Sequence, residues 1–115
     1  MIDIDIKKKD DYTKMKTNKN MHINEIDELI EANVFLLDVR ESFEYASGHL
    51  KNSKHISVNQ MEERLSDIPK DETVYVYCHS GGRSQIAANI LNARGYDAVN
   101  LDGGFSAYTG AHRDV

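Results

Sequence analysis

The chain has 115 residues and a formal net charge of −5, which fits one domain able to bury a core without disulfides or a metal. Its single cysteine excludes an internal disulfide, and five scattered histidines beside that cysteine offer no metal-ligand spacing. No apolar run approaches membrane-spanning length and no signal-peptide core follows Met1, so a soluble, cytoplasmic protein without a membrane partner is expected.

Residues 1–20 hold six Lys against four Asp, a net +2, which leaves −7 for residues 21–115. The acidic body argues against a nucleic-acid partner, since such binding needs a positive footprint. Residues 1–20 are polar and charged, with only a short Ile2, Ile4, Ile6 alternation. They read as a disordered basic extension to a single domain over 21–115.

From Met21 the pattern becomes regular. Asn24 is placed to cap a short helix whose apolar face is Ile26, Leu29 and Ile30. The run "VFLLDV" (34–39) predicts a strand buried on both faces. "ESFEYASG" (41–48) predicts a short helix stopped by Gly48. "HISV" (55–58) predicts a short strand, and "NQMEERL" (59–65) a helical turn or two before Pro69. "TVYVY" (73–77) is β-branched and aromatic, a strand pattern. "SQIAANILNAR" (84–94) puts Ile86, Ala87, Ile90 and Leu91 on one helical face, ending at Gly95. "DAVNL" (97–101) predicts another strand, and "GGFSAYT" (103–109) a turn into a last short helix. Strands alternating with helices predict an α/β fold with a largely parallel sheet. Asp38 and Cys78 then fall at the carboxyl ends of strands, the edge where such sheets bind ligands.

Cys78 opens the stretch "CHSGGRS" (78–84) between a strand and a helix. Gly81 and Gly82 permit backbone angles that turn successive N–H groups inward, and the helix start adds unpaired N–H groups. A ring of that kind is an anion nest, and a cysteine sulfur at its centre would be held as thiolate. Arg83 adds a positive charge and a planar fork for an oxyanion. His79 either adds a donor at the mouth or is an exposed loop residue. A lone cysteine five residues before an arginine is also compatible with an inert core thiol. The strand–glycine loop–helix context favours a nucleophile, and an exposed thiolate would be open to oxidation. The loop is no nucleotide site, because the Walker lysine and the dinucleotide glycine spacing are absent. No cofactor and no metal are expected.

Four stretches together, "DVRE" (38–41), "EYASGHLKNS" (44–53), "YCHSGGRS" (77–84) and "LDGGFSAY" (101–108), resemble the rhodanese (thiosulfate sulfurtransferase) family over about residues 22–110. The resemblance implies a five-stranded, mainly parallel sheet flanked by helices on both faces. It also implies a cysteine that takes a sulfane sulfur from a donor, becomes a persulfide and passes the sulfur to cyanide or a thiol. Carried over, Cys78 is the catalytic nucleophile, and His79, Ser80, Gly81, Gly82, Arg83 and Ser84 form the substrate-binding loop. Asp38 and Arg40 match a charged pair flanking the site, and ion pairing that orients the loop suits them better than reaction. Gly48 and His49, with Gly103 and Gly104, match turns of structural role. Lys54, His55, Ser57 and Tyr108 depart from the family's usual residues.

Within this fold, relatives that handle phosphate or arsenate have five residues between Cys and Arg. Here there are four, which favours sulfur transfer over phosphoryl chemistry. Without a second cysteine the sulfur must leave to an external acceptor, either a small thiol or a partner protein's cysteine. Three functions follow in order: a sulfurtransferase using a small-molecule donor such as thiosulfate, a non-turnover sulfur carrier for a partner protein, and a phosphatase-like or arsenate-handling enzyme.

Overall fold

The computed structural model describes residues 19–115, so the extension expected over residues 1–20 lies, up to residue 18, outside the described residues. The described chain runs β1 (Asn20–His22), a 3-10 turn (Ile23–Glu25), α1 (Asp27–Glu31), β2 (Phe35–Asp38), α2 (Ser42–Ala46), β3 (His49–Leu50) and β4 (Lys54–His55). Two 3-10 segments follow (Val58–Gln60, Glu62–Asp67), then β5 (Thr73–Tyr77), α3 (Gly82–Ala93), β6 (Asp97–Asp102), α4 (Gly104–Ala107) and β7 (Arg113–Asp114).

Five strands form one sheet in the order β1-β6-β5-β2-β4, and every pairing in it is parallel. β3 and β7 pair antiparallel as a separate ribbon. The central strand β5 is covered on both faces, and its β-branched and aromatic residues suit that position. Side chains alternate across it. Val74 and Val76 join a core with Leu37 of β2 and with Ala87, Ala88 and Leu91 of α3, and Met61, between the two 3-10 segments, adds to it. Tyr77 joins a second core with Ile23, Ile26, Ile30, Leu36, Leu101 and Tyr108. The sheet is thus covered on both faces, as expected. Each fully buried aliphatic side chain contributes about 1.5–3 kcal/mol.

Three expectations are corrected in detail. Asn24 does not cap α1; His22 caps the 3-10 turn before it. Asn24 instead donates to the Ala107 carbonyl at 3.0 Å and accepts the Thr109 N–H at 2.9 Å. The strand expected over 55–58 covers Lys54–His55, in register with Leu37 and Asp38. Ile56 and Val58 still donate to the Asp38 and Val39 carbonyls, but Ser57 is the N-cap of the next 3-10 turn and ends the strand. The long helix starts at Gly82, ahead of Ser84, because Gly81 turns the chain at φ +115°.

β1, β3 and β7 leave no sign in the periodicity of the sequence. Each has two or three residues, too few to show a period. β1 begins at Asn20, one residue inside the stretch read as extension.

Candidate active site

The topology brings the carboxyl ends of β2 and β5 side by side, with Asp38 opposite Tyr77 in the register. Cys78 continues the β5 alternation past Tyr77, so its side chain faces the α3 core with Val74 and Val76. The residue is 1 % exposed, which corrects the expectation of an exposed thiol: the sulfur forms the floor of the loop.

Two backbone N–H groups converge on that sulfur. Gly81 N–H lies 3.1 Å and Ser84 N–H 3.3 Å from Sγ. The thiol in turn reaches Ser84 Oγ at 3.4 Å, while that hydroxyl donates to the Gly81 carbonyl at 3.2 Å. The nest expected from the glycines is therefore present. Gly81 sits at φ +115°, where a β-carbon would be strained. Ser84, fully buried in the first turn of α3, supplies both an N–H and a hydroxyl to the sulfur's surroundings.

The loop's carbonyls are held from outside by α4. Phe105 N–H donates to the Cys78 carbonyl at 2.8 Å and Ser106 N–H to the His79 carbonyl at 2.9 Å. With those oxygens fixed away from the sulfur, the loop's N–H groups are left to point at it. The close approach requires glycine at 104: a β-carbon there would stand 2.5 Å from the His79 oxygen and 2.7 Å from the Cys78 oxygen. The turn role expected for Gly104 is thus also a clasp on the loop. His79 and Ser80 are exposed and Gly82 lies at the rim.

Arg83 departs from its expected role. Nη1 donates to Glu44 Oε1 at 2.8 Å and Nη2 to Glu44 Oε2 at 3.1 Å. Its fork therefore grips a carboxylate of α2 and not an open oxyanion site. Hydrogen bonding from Arg83 holds the Glu44 carboxyl at about 2, despite partial burial acting the other way. Glu44 in turn raises the Arg83 guanidinium, with a smaller contribution from the Cys78 sulfur. The sequence carries no local sign of this pair, because its members lie 39 residues apart.

Asp38 and Arg40 do form the expected ion pair. It is buried, at 2.7 Å between Arg40 Nη2 and Asp38 Oδ2. Burial works against the Arg40 charge, but Asp38 outweighs it and the guanidinium stays raised. The same Nη2 donates to the Gly48 carbonyl at 2.6 Å, and the guanidinium lies 4.7 Å from the Phe105 ring centroid. The pair thus ties the β2–α2 turn to the Gly48 turn beyond α2 and touches α4, which clasps the loop. Beside it Tyr77 hydroxyl accepts the Leu50 N–H at 2.9 Å and donates to Ser53 Oγ at 3.2 Å. Burial raises that phenol, so it stays protonated as a donor.

Among the described residues no group of His, Cys, Asp or Glu is arranged to hold a metal ion. None of their helices is long and apolar enough to cross a membrane.

A parallel sheet that delivers one cysteine into an N–H nest at its carboxyl edge can stabilise negative charge on that sulfur. The family model for the rhodanese-like domain matches residues 22–111, and the chain belongs to that family. Its relatives include named sulfurtransferases. Thiosulfate sulfurtransferase GlpE of Shewanella oneidensis is 30 % identical over 96 residues, 82 % of this chain and 95 % of that one. YrkF of Bacillus subtilis, whose name marks it provisionally as a sulfur carrier, is 36 % identical over 76 residues. That match takes in 65 % of this chain but only 41 % of YrkF, so the chain spans less than half of that relative. The crystal structure of a rhodanese-like domain protein from Staphylococcus aureus superposes with a TM-score of 0.78 at 30 % identity, covering 84 % of this chain and 97 % of that one.

Proposed function

We propose that the chain is a sulfurtransferase that carries sulfane sulfur on Cys78. The observation that carries this reading is the pair of N–H groups, from Gly81 and Ser84, aimed at the Cys78 sulfur. Such groups stabilise an anion on sulfur, whether thiolate or persulfide. In the loading step the Cys78 thiolate attacks the outer sulfur of a donor such as thiosulfate. A new S–S bond forms, the donor's own S–S bond breaks, and sulfite leaves with the electron pair. In the unloading step an acceptor thiolate or cyanide attacks the terminal sulfur. The Cys78 thiolate then departs with the bonding pair, and no net oxidant or reductant is needed. The nest serves both steps: it stabilises the Cys78 thiolate that attacks and that unloading restores, while loading leaves the charge on the added outer sulfur at the same loop. The surrounding loop, His79 to Ser84, cradles the added atom. Asp38 and Arg40 support it through Gly48 and α4. The protein needs no cofactor for this chemistry, and a small thiol or a partner protein's cysteine takes the sulfur.

The reading is tested by thiocyanate formation from thiosulfate and cyanide. The full chain is expected to turn over and Cys78→Ser to fall to background. Equal rates in the two proteins would overturn it. A second reading, a carrier that exchanges sulfur with a partner protein and turns over small donors slowly, draws support from the Glu44–Arg83 pair, which leaves the arginine fork filled. Slow loading from thiosulfate with fast exchange from a protein persulfide would favour the carrier.

A further inference from the structure

Glu44 is fixed from two sides. Its Oε1 accepts the Glu41 N–H at 2.9 Å, closing the first turn of α2, as well as the Arg83 bond. Swinging away from Arg83 would cost it the Glu41 bond as well. Side-chain exposure is 34 % for Arg83 and 20 % for Glu44, so the pair sits at the rim and is partly shielded. Arg83 directly precedes Ser84, whose N–H holds the sulfur. A donor arriving at Cys78 thus meets a cation already matched by a carboxylate, with both outer guanidinium nitrogens engaged. The carboxylate is ionised at any pH near neutrality, since Arg83 holds it at about 2. A doubly charged anion gains little from such a pair, and its approach is opposed by the carboxylate.

We propose that Glu44 is a specificity-determining residue of the loading step. By filling the Arg83 fork it turns the site away from dianionic donors and toward donors whose sulfane sulfur carries one negative charge or less, such as a persulfide on a thiol. This rests on the sulfur-carrying role of Cys78 proposed above.

The test compares sulfur loading of the full chain from thiosulfate, a dianion, and from methanethiosulfonate, a monoanion. Quenched samples read by intact mass give a second-order rate constant for each donor. In Glu44→Gln the amide oxygen still accepts the Glu41 N–H, so the helix turn is kept while the charge is lost. The ratio of thiosulfate to methanethiosulfonate rates is expected to rise about three- to tenfold in Glu44→Gln. Glu41→Gln, which leaves the fork filled, is expected to move the ratio less than about twofold. The wild type supplies a readout that needs no variant: with Arg83 neutralised, added salt should not steeply slow its thiosulfate loading. An unchanged ratio in Glu44→Gln, an equal shift for both donors, or a steep fall with salt in the wild type would overturn the inference while leaving the Cys78 reading intact. If the wild type loads from neither donor, both fall together.

Discussion

At the scale of single residues, the site depends on atoms that are missing as much as on those present. Gly104 lets α4 reach the loop, and its φ of +64° also favours glycine. Gly104→Ala is expected to cost about 1–3 kcal/mol of stability and to slow Cys78 loading at least about tenfold, because a displaced clasp of this kind mispositions the reacting atom. Thermal unfolding and the loading rate check both parts; a variant as stable and as fast as wild type would show that α4 does not set the loop. The N–H nest around Cys78 was legible in the sequence from the glycines and the strand before it. The cysteine's burial was not, because the side a residue faces past the end of a strand depends on the register. The clasp by Phe105 and Ser106 was equally hidden: it uses main-chain N–H groups, which any residue but proline could supply.

At the scale of elements, long apolar runs were readable and short pieces were not. Thr73–Tyr77 matched its predicted strand residue for residue, since β-branched and aromatic residues in a row favour a strand. The ribbon of β3 and β7 has two residues a side and is defined by its partner alone. The bond between α2 and α3 through Glu44 and Arg83 belongs to the same class, being long-range and invisible in local pattern. It has a consequence for pH. The Glu44 carboxyl is held at about 2 in the fold against an ordinary 4.5. Its folded-state pKa is depressed, so its contribution to stability is full above the ordinary value and is lost as pH falls through the folded one. The stability difference between wild type and Glu44→Gln is therefore expected to be constant near neutrality and to shrink between about pH 4.5 and 2. Denaturant unfolding at stepped pH measures it, and a difference that persists unchanged at the acid end would refute the charge origin of the bond.

At the scale of the whole molecule, the parallel sheet brings three separate stretches of chain to one edge. β2 ends in the Asp38–Arg40 brace, β5 in Cys78, and β6 leads through Gly103 into the α4 clasp. Each stretch alone is an ordinary strand end; the crossover order β6-β5-β2 makes them neighbours. The central claim is that this assembled edge holds one transferable sulfur on Cys78. Intact mass of the full chain before and after thiosulfate or a thiol persulfide, beside Cys78→Ser, tests it most directly. The account predicts that the wild type alone gains the mass of one sulfur atom and loses it to an added thiol. No gain from either donor, or the same gain in Cys78→Ser, would contradict it.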